Sequence, residues 1–279
     1  MSNLDKKIEQ AKRLLRLAED EAASHGQPVE ISYSGGKDSD IILHLAREAG
    51  INHRAIYKMT TIDPAGTIQH CREAGAEILK PKRSFFELIQ TSGFPTRWAR
   101  FCCDRLKEYK VLEVAVQGIR RSESHDRERR YSEPTICRIY GSKKNHVSVY
   151  LPILEWTEDD VKQYIEANTI RCHSLYYRGG QFDPTQRLGC LCCPLLSQKR
   201  LRNEFKQYPG MVAAYIRNGL IWWEQTKGTS RAKFGTIYDL FYHNLFCSSY
   251  ADYQLKTSGF FGKADCKQLL ENYFNIQLR

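Results

Sequence analysis

A glycine-rich hexapeptide at residues 34–39 is the first segment whose residue types could do chemistry. It reads Ser-Gly-Gly-Lys-Asp-Ser and stands between a β-rich run that ends at Tyr33 and a stretch with helical apolar spacing. Glycines let backbone amides approach an anion closely, and a helix N-terminus adds partial positive charge. The serine hydroxyls and the Lys37 ammonium group can supply further donors. The segment therefore predicts a phosphate-binding loop made of Ser34, Gly35, Gly36, Lys37, Asp38 and Ser39; an ordinary glycine-rich turn is the alternative.

Two further segments place candidate contacts after predicted strands. Asp63 follows the second strand, at the edge where ligands of open parallel sheets bind, and can reach a ribose hydroxyl or a magnesium-bound water. It can equally cap the helix that follows. Arg120 and Arg127 follow a later strand, and arginine grips phosphate or sulfate through two parallel hydrogen bonds. These arginines are therefore candidate anion contacts, with a solvated basic loop as the alternative.

Five of the ten cysteines fall into two tight clusters. Cys102 and Cys103 are adjacent, and 87 residues after Cys103 a CxxC begins at Cys190 and ends at Cys193. Because the N-terminus has no signal-peptide core, clustered cysteines indicate metal or redox chemistry rather than disulfides. Four thiolates suit zinc or an iron–sulfur cluster, although an adjacent pair is awkward for tetrahedral zinc. Unligated thiols are the third reading, and Cys192 is an extra thiol that the pattern does not need.

Strands and helices alternate through the first two thirds of the chain and must position these residues. Predicted strands lie within residues 29–33, 54–57, 76–79, 111–119 and 147–150. Such alternation implies a parallel sheet covered on both faces by helices. Residues 121–146 are polar and read as a long loop, and after Pro194 the chain becomes helical, aromatic and basic. We predict an α/β fold with a parallel sheet flanked by helices and a helical C-terminal extension.

The composition is that of a globular protein with an anionic partner. The chain has 279 residues, of which 42% are hydrophobic and 27% charged, and this excludes a disordered tail or a disulfide-stapled miniprotein. No run approaches the roughly 18 to 20 apolar residues of a membrane span, so we expect a soluble, cytoplasmic protein without membrane contact. The net charge of +10 favours nucleotide, nucleic acid or sulfate as partner. A basic surface kept for solubility is the alternative.

The order S-G-G-x-D-S resembles the PP-loop of the adenine nucleotide alpha hydrolase superfamily. Its spacing matches neither a Walker P-loop nor the dinucleotide motif G-x-G-x-x-G. The resemblance implies a Rossmann-like fold whose loop cradles the pyrophosphate of ATP or a related adenine nucleotide, with reaction at the α-phosphate. In this picture Asp38 is a Mg²⁺ or positioning residue, because Mg²⁺ prefers a carboxylate together with phosphate oxygens. Lys37, Asp38 and Arg120 form the predicted catalytic set.

Several other stretches resemble the phosphoadenosine phosphosulfate (PAPS) reductase family. Residues 118–127 resemble its G-[IL]-R-x-x-[ED]-S-x-x-R segment, and residues 151–161 its P-I-x-x-W-[ST]-x-x-D-V segment. The tandem cysteines followed by CxxC resemble the [4Fe-4S] site of adenylylsulfate reductases. That likeness implies a cluster, or alternatively Zn²⁺, on Cys102, Cys103, Cys190 and Cys193. The implied domains are an N-terminal helix at 1–27, a PAPS reductase-like domain at 28–196 and a helical segment at 197–279.

The tail departs from the sulfonucleotide reductases of this family. Those enzymes carry a nucleophilic cysteine in a C-terminal E-C-G-x-H motif, whereas Cys247 and Cys266 have other neighbours here. The first reading is therefore an ATP pyrophosphatase that adenylates an acceptor, which then takes sulfur, with DNA or tRNA and a sulfur-donor protein as expected partners. The second is a PAPS reductase that releases sulfite with thioredoxin. The third is a non-catalytic nucleotide or nucleic-acid binding module.

Overall fold

The computed structural model describes residues 2–141, 145–225, 233–259 and 262–278. The chain divides into two compact units, each made of two separate stretches. The first unit contains Met1–Pro81 and Asp104–Gly189, and the second contains Lys82–Cys103 and Cys190–Arg279. The predicted phosphate loop and arginines belong to the first unit, and the two cysteine clusters belong to the second.

A six-stranded sheet forms the centre of the first unit. Its strands are β1 (Val29–Ser32), β2 (His53–Lys58), β3 (Glu77–Leu79), β4 (Val114–Val116), β5 (Thr135–Ile139) and β6 (His146–Tyr150). Their order across the sheet is β3-β2-β1-β4-β6-β5, and every neighbouring pair is parallel except β5 and β6. The strand order reverses between β1 and β4. Open parallel sheets bind ligands at such a point, beyond the carboxyl ends of the strands.

Helices account for most of the other regular structure. They are α1 (Asn3–Ser24), α2 (Lys37–Ala49), α3 (Thr67–Glu73), α4 (Phe85–Ser92), α5 (Phe101–Leu106), α6 (His125–Arg130), α7 (Glu158–Ala167), α8 (Gln198–Gln207), α9 (Pro209–Gln225), α10 (Ile237–Phe246), α11 (Tyr250–Thr257) and α12 (Cys266–Phe274). The short strands β7 (Tyr177–Arg178) and β8 (Gln181–Phe182) form one hairpin, and β9 (Ser258–Gly259) and β10 (Gly262–Lys263) pair with each other. The predicted α/β fold with C-terminal helices is confirmed. No helix in the described ranges has both the length and the apolar character needed to cross a bilayer.

The prediction of a long loop at residues 121–146 is wrong. This stretch contains α6 and β5, and β5 pairs antiparallel with β6 at the edge of the sheet. The residues of β5 alternate between exposed and half-buried, so neither face of the strand carries the apolar pattern by which a strand is recognised in a sequence. Pairing with β6, rather than local hydrophobicity, therefore makes this segment a strand.

Aromatic side chains form the core of the second unit. The Phe205 ring lies 5.2 Å from Tyr215 and 5.7 Å from Phe241, both measured between ring centroids. Gly219 of α9 lets that helix approach the loop after α4, because a Cβ atom there would come within 2.6 Å of the Phe94 ring. Trp222 also packs against this loop, so its ring is a packing element of the unit.

The buried face of α1 gives a first testable prediction. Leu15 is fully buried in the core of the first unit, whereas Leu17 on the same helix is 51% exposed. We expect Leu15→Ala to lower the free energy of unfolding by about 3 kcal/mol, because a cavity is left in the core. Leu17→Ala is the matched control and should change it by less than about 0.5 kcal/mol. Urea titration followed by circular dichroism measures both, and equal effects would contradict the packing described.

Candidate nucleotide-binding site

The loop between β1 and α2 has the backbone geometry of an anion cradle. Gly35 has φ +75°, a left-handed conformation that glycine adopts readily, and a Cβ atom there would meet the Cys71 sulfur at 3.3 Å. Gly36 is the N-cap residue of α2 and has no side chain to bond the first amides of the helix. The positive end of α2 therefore faces the loop, which is the arrangement that binds phosphate at helix N-termini.

Two serine hydroxyls brace this loop from within. The Ser39 hydroxyl donates to the Gly36 carbonyl oxygen at 2.7 Å and accepts from the Ser34 amide at 3.2 Å. The Ser34 and Ser39 oxygens lie 3.2 Å apart, and the Gly36 amide donates to the Ser34 hydroxyl at 3.3 Å. The predicted serines are thus brought together, and Ser39 acts chiefly by holding the two ends of the loop in register.

A buried cluster of Tyr33, Asp40 and His70 packs beside the loop. The Tyr33 hydroxyl donates to the Asp40 carboxylate, and Nε2 of His70 lies 3.0 Å from the same oxygen. Burial raises the pKa of Asp40, while the nearby His70 opposes the rise. Because Tyr33 precedes the loop and Asp40 follows it, these bonds tie both ends of the loop to α3.

Arg120 organises the charged side of the site. Its side chain is 0% exposed, and it donates from Nε to Oδ1 of Asp38 at 2.6 Å. Its terminal nitrogens donate to Oε1 of Glu158 at 2.9 Å and to the Ser122 hydroxyl at 3.1 Å. Burial alone would lower the pKa of Arg120, but the Asp38 and Glu158 carboxylates outweigh it and raise that pKa. The guanidinium therefore fixes the direction of Asp38.

Lys37 stands on the other side of Asp38. Its Nζ lies 3.3 Å from Oδ2 of Asp38 and 4.0 Å from Oε2 of Glu158, and its side chain is almost completely buried. Gly118, two residues before Arg120 in the sequence, lies against Asp38, because a Cβ atom there would come within 3.0 Å of the Asp38 carbonyl group. Within the predicted catalytic set, Asp38 thus contacts both Lys37 and Arg120.

Arg127 lies close to a second arginine, Arg187. Arg127 pairs with Glu123, and Arg187 donates to the Glu123 carbonyl oxygen at 2.9 Å. Burial lowers the pKa of Arg127, and the positive charge of Arg187 lowers it further. A bound anion would relieve this repulsion, so the environment of Arg127 suits a phosphate or sulfate group.

Three residues that sequence reasoning did not select belong to the site. Glu158 bonds Arg120, Arg187 accompanies Arg127, and Tyr176 lies against the loop. The Tyr176 hydroxyl is bonded by the backbone amides of Lys37 and Leu188, although burial raises its pKa. Tyr176 and Arg187 both lie in the stretch before the CxxC, so that motif is the sequence feature that could have pointed to them.

The Asp63 carboxylate forms hydrogen bonds within its own turn. It accepts from the Thr60 amide at 2.8 Å and from the Thr60 hydroxyl at 2.6 Å. The N-cap residue of α3 is Gly66, so Asp63 does not cap that helix as one of the two readings expected. Its predicted contact with a ribose hydroxyl or a magnesium-bound water stays a prediction.

The cysteine clusters meet within the second unit. Tyr215 is buried and donates its hydroxyl hydrogen to the Cys192 carbonyl oxygen at 2.9 Å. Burial raises the pKa of Tyr215, and Cys102, Cys190, Cys192 and Cys193 all add to the rise. Among the described residues, however, no group of three or more His, Cys, Asp or Glu side chains is arranged to hold a metal ion. The iron–sulfur and zinc readings of these thiols therefore stay predictions.

The phosphoadenosine phosphosulfate reductase domain model matches residues 28–196, which contain the loop, the arginines and the cysteines described above. The chain belongs to this family. Membership confirms the predicted relationship to PAPS reductases and the PP-loop fold. It also places the chain among relatives that include enzymes of sulfur metabolism.

Individual relatives of this PAPS reductase-family chain are distant. An uncharacterized protein of Methanocaldococcus jannaschii is 28% identical over 203 residues, which cover 67% of this chain and 46% of that protein. Sulfate adenylyltransferase subunit 2 of Rhizobium johnstonii is 26% identical over 197 residues, covering 56% and 59%. A crystal structure of PAPS reductase from Candida auris aligns with TM-score 0.41 and 18% identity, covering 63% of this chain and 91% of that one. The chain thus spans less than two thirds of the curated relatives it matches.

The Arg120 network yields a second prediction. Arg120→Ala should lower the free energy of unfolding by about 3 kcal/mol, because it leaves the Asp38 carboxylate without its buried partner. The neighbouring Arg121 bonds Glu155 at the surface, so Arg121→Ala should cost less than about 1 kcal/mol. Urea titration measures both variants. A loss in Arg120→Ala no greater than that in Arg121→Ala would contradict the role assigned to the buried guanidinium.

Proposed function

We propose that this PAPS reductase-family chain is a PP-loop enzyme that binds ATP or a related adenine nucleotide and adenylates an acceptor with release of pyrophosphate. The acceptor then takes sulfur in a later step. The observation that carries the proposal is the direct contact of Asp38 with both Lys37 and Arg120 at the phosphate-type loop of residues 34–39. A relative named as a sulfate adenylyltransferase subunit adds support for adenylyl transfer.

The chemistry follows from the charges of the site. An oxygen atom of the acceptor attacks the α-phosphorus, and the bond from that phosphorus to the bridging oxygen breaks as pyrophosphate leaves. The backbone amides at the start of α2 and the Lys37 ammonium group stabilise the negative charge on the departing pyrophosphate. Arg120 holds Asp38 in one orientation before the nucleotide arrives, so little reorganisation is needed.

Asp38 is the residue that would hold Mg²⁺ together with the phosphate oxygens. Its carboxylate is partly exposed and lies between two cationic side chains, which fix its orientation. A carboxylate combined with phosphate oxygens is the ligand set that Mg²⁺ prefers, so the residues present fit the ion. When bound, Mg²⁺ neutralises charge on the phosphates.

The environments of the C-terminal thiols argue against a PAPS reductase reading. Both Cys247 and Cys266 are buried. Burial raises the pKa of Cys247, and burial together with the Asp239 carboxylate raises the pKa of Cys266 to about 12. A thiol attack on sulfur needs the thiolate, which these surroundings disfavour. Neither cysteine therefore has the environment of a reductase nucleophile.

We propose further that Cys102, Cys103, Cys190 and Cys193 hold a [4Fe-4S] cluster that positions or transfers sulfur. The support is their common approach to Tyr215, although the two pairs are far apart in sequence. Contact with the Cys103 side chain raises the pKa of the Cys102 thiol, and burial raises it further. Bound iron would displace the thiol protons, and its positive charge would offset the mutual repulsion of the resulting thiolates.

The adenylation proposal predicts how turnover responds to substitution. Asp38→Ala should lower pyrophosphate release from ATP by about 100-fold or more, because the oriented carboxylate is lost. Cys247→Ser and Cys266→Ser are the matched controls and should keep the activity. A coupled pyrophosphate assay with candidate acceptors measures the rates. Sulfite release from PAPS with thioredoxin, lost in either cysteine variant, would instead establish the reductase reading, and nucleotide binding without turnover of either substrate would favour the binding module.

The cluster proposal predicts the metal content. Anaerobically purified protein should contain about four irons and four acid-labile sulfides per chain. Cys102→Ala and Cys193→Ala should lose them, whereas Cys137→Ala, an exposed thiol of the first unit, should not. Iron, sulfide and zinc assays on one sample decide the matter. Zinc in place of iron, or no metal at all, would remove the cluster from the proposal and leave the adenylation chemistry untouched.

A further inference from the structure

The positive charge of the chain is concentrated in one of its two units. Lys82–Cys103 and Cys190–Arg279 contain 16 Lys and Arg residues against 7 Asp and Glu residues, whereas the first unit contains 26 against 25. The second unit therefore accounts for +9 of the total of +10. Because the nucleotide-type loop lies in the nearly neutral first unit, binding a nucleotide there does not explain the excess. The charge distribution points to a second, larger anion that meets the second unit.

A short turn in this unit presents a tryptophan to solvent. Trp98 is 98% exposed. The Thr96 amide donates to the Ala99 carbonyl oxygen at 3.2 Å, and the Thr96 hydroxyl accepts from the amides of Trp98 at 3.3 Å and Ala99 at 3.1 Å. Nε of Arg97 donates to the Leu195 carbonyl oxygen at 3.3 Å. The turn is thus held by its own hydrogen bonds and tied to the chain just after the CxxC.

The exposure of Trp98 differs from that of the other tryptophans. Trp156 and Trp223 are buried, and Trp222 packs against Gly93. A large aromatic ring held fully in water gains no hydrophobic stabilisation, so packing within the fold does not account for this tryptophan. Arg97 and Arg100 flank the ring in sequence. An exposed aromatic ring between cationic side chains is the combination that stacks on a base while contacting the neighbouring phosphates.

We propose that the second unit binds nucleic acid and that Trp98 stacks on one of its unpaired bases. The inference deepens the proposed function, because it identifies a nucleic acid as the acceptor of the adenylyl group. Only this identification of the acceptor rests on the proposed function. Binding itself depends on the charge of the second unit and on the Trp98 turn. A single strand is the preferred form, because its bases are open to stacking whereas those of a duplex are already stacked.

Fluorescence anisotropy with fluorescein-labelled oligonucleotides tests the binding in the absence of ATP. Mixed-sequence single-stranded RNA, single-stranded DNA and duplex DNA of about 20 nucleotides are the probes, since a stacking site covers only a few bases. We expect a single strand to bind more tightly than the duplex, with an affinity that falls steeply between 50 and 200 mM salt. The RNA and DNA arms show which of the two nucleic acids is preferred.

Substitution of Trp98 separates stacking from general charge attraction. Trp98→Ala should weaken single-strand binding by roughly 5-fold to 100-fold, and Trp98→Phe should retain most of the affinity. Leu255, also in the second unit and 79% exposed, is the matched control, so Leu255→Ala should leave the affinity unchanged. Asp38→Ala should also bind normally, because Asp38 belongs to neither the charged second unit nor the Trp98 turn. Failure of binding is therefore distinguishable from failure of adenylation.

Two results would overturn the inference. One is wild-type protein that does not bind any of the single strands at 50 mM salt. The other is a Trp98→Ala variant with unchanged affinity, which would remove the stacking role even if charge attraction persisted. Sedimentation velocity on the same proteins adds an independent readout. If Trp98→Ala converted a dimer into a monomer without changing nucleic-acid affinity, the ring would serve contact with a second copy of the chain, contrary to the proposal.

Discussion

The buried guanidinium of Arg120 is the interaction on which the nucleotide site depends. Removing a charged group from water costs several kcal/mol unless carboxylates and hydrogen bonds replace the lost hydration. Here the replacement comes from Asp38, Glu158 and Ser122. Asp38 lies in the first turn of α2 and Glu158 in the first turn of α7, while Arg120 follows β4. One side chain therefore holds the starts of two helices at the carboxyl end of the sheet. Because the phosphate loop leads directly into α2, these bonds also fix the position of the loop.

The same arrangement sets the electrostatics of the site. Lys37 and Arg120 are balanced by Asp38 and Glu158, so this network by itself adds little net charge. Attraction of an anion must therefore come from groups that are not balanced in this way. The amides at the start of α2 are one source, and Arg187, which bonds a backbone carbonyl oxygen rather than a carboxylate, is another. The site thus separates groups that orient Asp38 from groups that attract phosphate. The sequence alone does not tell these two kinds of basic residue apart.

Local patterns explain what the sequence could predict, and long-range contacts explain what it could not. The loop at 34–39 was predictable because its glycines and the following helix are contiguous, and the parallel sheet because strands and helices alternate. β5 was missed because an edge strand with an exposed pattern has no local signature. The bond from Arg120 to Glu158 joins residues 38 positions apart and carries no spacing signal. Arg120 was accordingly predicted as an anion contact, and its bonds with two carboxylates became visible only in the folded chain.

The position of the cysteines gives them a mechanical consequence beyond any chemistry. The second unit consists of two separate stretches, one ending at Cys103 and the other beginning at Cys190. A group bound by both cysteine pairs would cross-link those stretches across the long intervening chain of the first unit. Cross-links that close long loops remove the most conformational freedom from the unfolded state, and metal binding adds its free energy to folding in the same way. Such a cross-link would add to the stability that the discontinuous second unit already has from its aromatic core.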